Sequence, residues 1–77
     1  MSVAEMNVED EMFGVIVNGE TIPIRANPSD YSEVVYLAHK EEIVMVAIDE
    51  STDKWFSVCS AGGMSGYCPR CNISLVN

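Results

Sequence analysis

Two cysteines, Cys68 and Cys71, are separated by Pro69 and Arg70 near the end of a chain of only 77 residues. A domain of this length buries only about 60% of the surface that its unfolded chain exposes, so a bound metal adds stability that a small core lacks. The two-residue spacing lets both sulfurs of a tight turn reach one metal ion. The pair therefore predicts a structural zinc (Zn²⁺) site.

Cys59 and His39 are the candidates for the other two ligands. Cys59 precedes a glycine-rich segment, residues 60–66, that is long enough to fold back and bring three sulfurs together. His39 is the only histidine, and it would complete a tetrahedron of three thiolates and one imidazole; an aspartate or a water as the fourth ligand is the fallback. The alternative is that the cysteines are small buried residues and that the histidine lies on the surface.

The sequence Cys-Pro-Arg-Cys at residues 68–71 resembles the Cys-Pro-x-Cys knuckle of zinc ribbons and rubredoxin-type folds. Those families carry a second Cys-x-x-Cys pair, which this chain lacks, so the resemblance implies two ligands only. The same four residues are similar to the redox motif of glutaredoxin-like enzymes, where the first thiolate is stabilised at a helix N-terminus. Here residues 73–76 are predicted to form a strand, which disfavours thiol redox catalysis.

The chain is strongly acidic, with twelve acidic and four basic residues and a net charge of −8. This charge repels nucleic-acid phosphates, so direct nucleic-acid binding is not expected. No apolar run approaches the roughly 20 residues of a membrane span, and the first residues are acidic where a signal peptide is basic and then apolar. We therefore expect a cytoplasmic protein with reduced cysteines and no membrane contact.

The pattern of residues 12–40 predicts a hairpin followed by a helix. Apolar and other residues alternate over 13–17, Asn18-Gly19 suits a two-residue hairpin turn, and Pro23 places the returning strand, 20–26, at an edge at least locally. Asn27-Pro28 is typical of a helix start. Apolar residues at three- and four-residue spacing then predict a helix over 28–40.

The remaining residues predict further strands. Residues 43–48 are apolar on both alternating faces, as in a buried central strand, and they are expected to form a second hairpin with residues 54–58. A last short strand covers 73–76. The expected fold class is therefore α+β with the order ββαββ(β), preceded by a flexible acidic leader at residues 1–11, and residues 12–77 form one domain.

This order of elements resembles the β-grasp (ubiquitin-like) arrangement. A ubiquitin-like modifier needs a C-terminal Gly-Gly for activation, whereas this sequence ends in Ser-Leu-Val-Asn. The resemblance therefore implies the fold, and conjugation to other proteins is not expected.

The sequence contains no glycine-rich phosphate loop with a lysine, no serine nucleophile elbow and no His-Glu-x-x-His helix. We therefore expect a non-enzymatic adaptor domain, stabilised by zinc, whose acidic surface favours a basic protein partner. Trp55 and Phe56 are adjacent on a predicted strand, so they point to opposite faces, and Trp55 is the predicted contact residue. Arg70 is a second candidate for partner binding; its alternative role is to balance thiolate charge.

Two other functions stay open at this point. The first is an inhibitor that mimics nucleic acid and blocks a nucleic-acid-binding host protein; the chain is similar to viral, phage-encoded factors of this kind in size and charge. It requires carboxylates gathered on one face and binding that weakens steeply with salt. The second is a thiol redox or metal-handling protein, which requires a labile metal and a thiol of lowered pKa.

Overall fold

The computed structural model of the chain describes residues 11–76, which form one antiparallel sheet of seven strands. The strands are β1 (Glu11–Ile16), β2 (Thr21–Arg25), β3 (Val34–His39), β4 (Ile43–Ala47), β5 (Trp55–Cys59), β6 (Ser65–Pro69) and β7 (Ile73–Val76). Two 3₁₀ turns, η1 (Ile48–Glu50) and η2 (Arg70–Asn72), follow β4 and β6. None of the helical segments within this range has the length and apolar character needed to cross a membrane.

The order of strands across the sheet is β3-β2-β6-β5-β4-β1-β7. Strands β4, β5 and β6 follow one another as an antiparallel meander, so the expected second hairpin, β4 with β5, is confirmed. Strand β2 meets β6 only at the pair Arg25 and Tyr67. At Pro23 the strand therefore has β3 alone as a neighbour, which suits a residue without an N–H.

The inner face of the sheet forms the hydrophobic core. Alternation along each strand points every second side chain inward, as in β4, where Val44 and Val46 are buried while Ile43 and Met45 are exposed. The expectation that β4 is buried on both faces is therefore wrong. The buried residues are Ile16, Ile22, Ile24, Ala38, Val44, Val46, Phe56, Val58, Cys68 and Ile73.

The predicted helix over 28–40 is wrong, because the second half of that segment is strand β3. Valine and tyrosine at 34–36 favour the extended conformation, and β3 pairs with β2 at every residue except Val35, where the register shifts. The first half is a loop held by Ser32: its hydroxyl accepts the N–H of Asn27 at 2.9 Å, and its carbonyl accepts the Arg25 guanidinium at 2.8 Å. Asn27-Pro28 thus opens a turn and not a helix.

The predicted hairpin across Asn18-Gly19 is also wrong. Asn18 has the left-handed φ of 65° that suits a turn, but β1 pairs with β4 and β7 while β2 pairs with β3 and β6. The segment after β1 is bound instead to η2: the amide of Asn18 donates to the carbonyl of Cys71 at 2.7 Å, and the N–H of Val17 donates to the carbonyl of Asn72 at 3.0 Å.

The fold class is therefore all-β, and the α+β assignment with the order ββαββ(β) and a β-grasp arrangement is corrected. No α-helix occurs between residues 11 and 76. Glu11, the last residue of the predicted leader, begins β1. The other ten residues of that leader lie outside the described residues.

Candidate interaction surface

The outer face of the sheet carries a row of side chains that the strand register brings together. Phe13 on β1 lies opposite Met45 on β4, Met45 lies opposite Cys59 on β5, and Cys59 lies opposite Ser65 on β6. Directly opposite residues of antiparallel strands point to the same face. Ile43 points to the same face as Met45, because the two residues are two positions apart on β4 and side chains alternate between faces along a strand.

Three of these side chains are large, apolar and open to solvent: Phe13 is 54% exposed, Ile43 59% and Met45 40%. Single exposed apolar residues are ordinary, whereas a contiguous group of them marks a contact surface. We call Phe13, Ile43, Met45 and Cys59 the Met45 patch. It departs from the alternation of apolar inside and polar outside that a half-exposed sheet should show.

Two shallow cavities of about 160 and 200 Å³ flank the pair Met45–Cys59, and both residues line both cavities. Each is smaller than the 300 Å³ or more that is typical of small-molecule sites. Among the described side chains that line them, Glu50 carries the only charge. The surface thus offers two apolar depressions with a carboxylate beside the first.

The three predicted sulfur ligands lie in three different environments. Cys68 is fully buried in the core opposite Phe56, Cys71 is exposed on η2, and Cys59 is half-buried on the outer face. Burial, with a smaller contribution from nearby Cys71, raises the pKa of the Cys68 thiol to about 12. A metal ligand must be a thiolate, and the buried site of Cys68 favours the thiol.

His39, the fourth predicted ligand, is exposed at the end of β3. Within residues 11–76 no three side chains of His, Cys, Asp or Glu are grouped as a metal site requires. The structure brings Cys68 and Cys71 near each other and places Cys59 on the opposite face of the sheet. Zinc binding therefore stays a prediction that a direct measurement must decide.

Trp55 and Arg70, the predicted partner-binding residues, lie close together in the fold. Trp55 is half-buried on the outer face opposite Pro69, while Phe56 is buried, so the expected division of the two aromatic rings between faces is confirmed. The Arg70 side chain is engaged within the protein: its Nε–H donates to the carbonyl of Thr52 at 2.8 Å, and its guanidinium covers the Phe56 ring. The contact of either residue with a partner stays a prediction.

Tyr36 carries a buried hydroxyl that has no hydrogen-bond partner among the described residues. Burial, and then the nearby Glu42 carboxylate, raise the pKa of this phenol to about 12. The Ser60 hydroxyl, which lies nearby without hydrogen-bonding geometry, opposes the rise. The ring packs against the core from β3.

The sequence reasoning missed the Met45 patch. The signal was present, because residues 43–48 are apolar at both odd and even positions, and the expectation of burial on both faces came from this pattern. In the structure only one side of the sheet is covered, so every second apolar residue of β4 is buried and the residues between them are exposed.

Comparison with curated protein sequences finds none that matches the chain. Residues 18–74 match the family described as bacterial SH3 domain. The match runs from the turn after β1 into β7 and includes six of the seven strands in whole or in part. Because it covers well over half of the sequence, the chain belongs to the bacterial SH3 domain family.

Proposed function

We propose that this bacterial SH3 domain is a non-catalytic module that binds a basic partner protein through the Met45 patch. Family membership supports protein interaction in general. The observation that carries the finer proposal is the in-register placement of Phe13 and Met45 on neighbouring strands, both with about half of their surface open to solvent. Their removal from water on binding supplies the driving force.

The charge of the chain supports a basic partner. A net charge of −8 raises the encounter rate with a positively charged surface and opposes the approach of a second copy of the same chain. Glu50 beside the first cavity offers a local partner for a lysine or arginine. The expected ligand is therefore a protein segment with an apolar side chain at its centre and basic residues around it.

The absence of catalysis is part of the proposal. The two cavities of about 160 and 200 Å³ are too shallow to enclose a substrate. The thiol of Cys68 is buried, and burial raises its pKa, which is the reverse of what a thiol redox centre needs. Adaptor function also differs from nucleic-acid mimicry in its dependence on apolar contact, which salt does not weaken.

Selection from a random peptide library displayed on phage tests this proposal for a partner of unknown sequence. Peptides that bind the wild-type chain should combine one or more apolar residues with lysine or arginine. The Met45→Ser variant should lose them. The matched control is Leu75→Ser, because Leu75 is 39% exposed, close to the value for Met45, but lies opposite Gly14 on the other face of the sheet.

Equal binding of the selected peptides to wild type, Met45→Ser and Leu75→Ser would place the contact elsewhere and reject the Met45 patch. Peptides selected without basic residues would reject the charge argument alone. Binding that disappears entirely at high salt and survives Met45→Ser would favour the nucleic-acid-mimic alternative.

A further inference from the structure

Strand β3 is an edge of the sheet, because β2 is its only neighbour among residues 11–76. The two strands pair from Thr21 with His39 to Arg25 with Val34, with a bulge next to Arg25. An edge strand leaves one row of backbone N–H and C=O groups without a ladder partner, and such a row is a template for a further strand.

The direction of these groups follows from the register. The N–H of Lys40 donates to the carbonyl of Glu20 at 2.9 Å, so the backbone N–H of Lys40 points toward the β2 side. Backbone groups alternate along an antiparallel strand, so His39 and Leu37 direct theirs away from β2. Pro23, opposite Leu37, has no N–H to donate, which fits a position where no ladder bond is made.

One outward N–H on this edge already has an acceptor that takes the place of a neighbouring strand. The N–H of His39 donates to Oε1 of Glu42 at 2.9 Å. The carboxylate stands where the carbonyl of an added strand would accept the same hydrogen. The outward groups of Leu37 form no comparable bond within the described part of the chain, and the Leu37 side chain is 54% exposed.

We propose that the β3 edge accepts an extended segment of a basic partner protein as an added antiparallel strand. The backbone of the segment bonds the outward groups of Leu37 and displaces the Glu42 carboxylate from the His39 N–H. An apolar residue of the segment packs on Leu37 as a cross-strand pair. The released Glu42 carboxylate then pairs with a lysine or arginine of the segment.

Charge selects this occupant over a second copy of the chain. Glu33 precedes β3, and Glu41 and Glu42 follow it. The nearby positive charge of Lys40 is paired with Glu20, with 3.9 Å between Nζ and Oε2. Antiparallel pairing of two β3 strands centred on Leu37 would bring Glu33 of one copy near Glu41 and Glu42 of the other, just beyond the paired residues, and like charges that lie close together oppose pairing. A segment with lysines at those positions has the opposite effect.

The β3 site uses the backbone of Leu37 and His39, which are not members of the Met45 patch, although Glu42 directly precedes Ile43 of that patch. The measurements differ too, because exchange at Leu37 and His39 reports on the β3 edge alone. The two proposals can therefore fail independently. Main-chain hydrogen bonds give affinity in such strand addition, and alternate side chains give selectivity.

The experiment measures amide hydrogen exchange by NMR in the full chain, with a synthetic peptide of alternating valine and lysine as the probe. Saturating peptide should slow exchange of the Leu37 and His39 amides by about tenfold or more, because both gain a strand partner. The Tyr36 and Ala38 amides, which already face β2, should change little. The same peptide carrying N-methyl groups on alternate amides keeps its charge and side chains and should have no effect.

Variants distinguish binding at the β3 edge from binding at the Met45 patch. Leu37→Lys should weaken peptide binding at the β3 edge about tenfold or more by removing the apolar pair and adding a like charge, whereas Leu75→Lys should bind as wild type does. Any peptide held by the Met45 patch would change exchange at that patch and not at Leu37. Equal binding of the N-methylated peptide would overturn the proposal. So would protection of Leu37 that grows with protein concentration in the absence of peptide, which would mean self-pairing, or exchange that changes only at the Met45 patch.

Discussion

The guanidinium carbon of Arg70 lies 4.3 Å from the centroid of the Phe56 ring. Phe56 is one of the buried core residues, and Arg70 opens the 3₁₀ turn η2. The same arginine donates its backbone N–H to the carbonyl of Lys54 at 3.0 Å and its Nε–H to the carbonyl of Thr52 at 2.8 Å. Arg70 therefore covers the Phe56 ring with its side chain, and its backbone and side chain together hold the β4–β5 connection against the start of η2.

Replacement of Arg70 should destabilise the fold. We expect Arg70→Ala to lower the free energy of unfolding by about 1–3 kcal/mol, because it removes a cation–π contact and a charge-assisted hydrogen bond. Arg70→Lys keeps the charge over the ring but has no Nε–H for Thr52, so its loss should be smaller. Urea denaturation followed by tryptophan fluorescence measures both. Unchanged stability in Arg70→Ala would mean that neither the cation–π contact nor the hydrogen bond to Thr52 contributes to the stability of the fold.

Gly66 marks the one place where β2 and β6 meet closely. A Cβ at this position would lie 2.7 Å from the carbonyl oxygen of Arg25 and 2.7 Å from Cγ2 of Ile24. Because the oxygen belongs to the backbone, Gly66→Ala must push β2 away from β6, and we expect a loss of about 1–3 kcal/mol in the free energy of unfolding.

Gly62→Ala is the matched control for that substitution, since its Cβ would meet only the Ser60 hydroxyl oxygen at 3.8 Å. Its stability should equal that of wild type within about 0.5 kcal/mol. Thermal unfolding of the two variants compares them directly. A Gly66→Ala variant as stable as Gly62→Ala would mean that the contact between β2 and β6 is not needed for the fold.

Local patterns in this sequence predict five of the seven strands, missing β3 and β6, and they predict the pairing of β1 and β2 wrongly. The alternation that divides Trp55 from Phe56 depends on adjacent residues alone, and the structure confirms it. The Asn18-Gly19 turn signal matches the φ of Asn18, yet the pairing it suggests is wrong, because the Asn18 amide binds the carbonyl of Cys71, 53 residues away. No local pattern records a contact of that range.

The predicted helix failed for a related reason. Residues 28–40 contain apolar side chains that satisfy a helical spacing and an extended run equally well. The choice is made by the β2 ladder and by the Ser32 contacts that close the loop before β3. Both depend on residues outside the pattern, so tertiary pairing overrides a plausible local preference.

Burial separates the roles of Cys68 and Cys71. Cys68 is fully buried and Cys71 is exposed, so Cys68→Ser should lower the free energy of unfolding by about 1–3 kcal/mol while Cys71→Ser should leave it within about 0.5 kcal/mol of wild type. Native mass spectrometry of the same proteins, with and without chelator, measures metal directly. A mass excess of one zinc in wild type, with equal loss of structure in both variants, would instead support the predicted zinc site.

The Tyr36 hydroxyl predicts a stability change at high pH. Its pKa is about 12 in the folded chain, against an ordinary value of 10.0 for an exposed tyrosine. Between these two pH values the unfolded chain holds fewer protons on Tyr36 than the folded chain does. The free energy of unfolding therefore falls as pH rises from about 10 to about 12, and this group has no effect on it below pH 10. Tyr36→Phe removes the titrating group and should lose less stability over the same interval.

Near pH 7 the Tyr36→Phe variant should be as stable as wild type or more stable by about 1 kcal/mol, because the hydroxyl it lacks has no partner in the described residues. Urea denaturation at a series of pH values measures the difference, with Tyr31→Phe, a change in a fully exposed side chain, as the control. A Tyr36→Phe variant that is less stable than wild type near pH 7 would mean that the hydroxyl is hydrogen-bonded after all. A parallel pH dependence in both proteins would contradict the raised pKa.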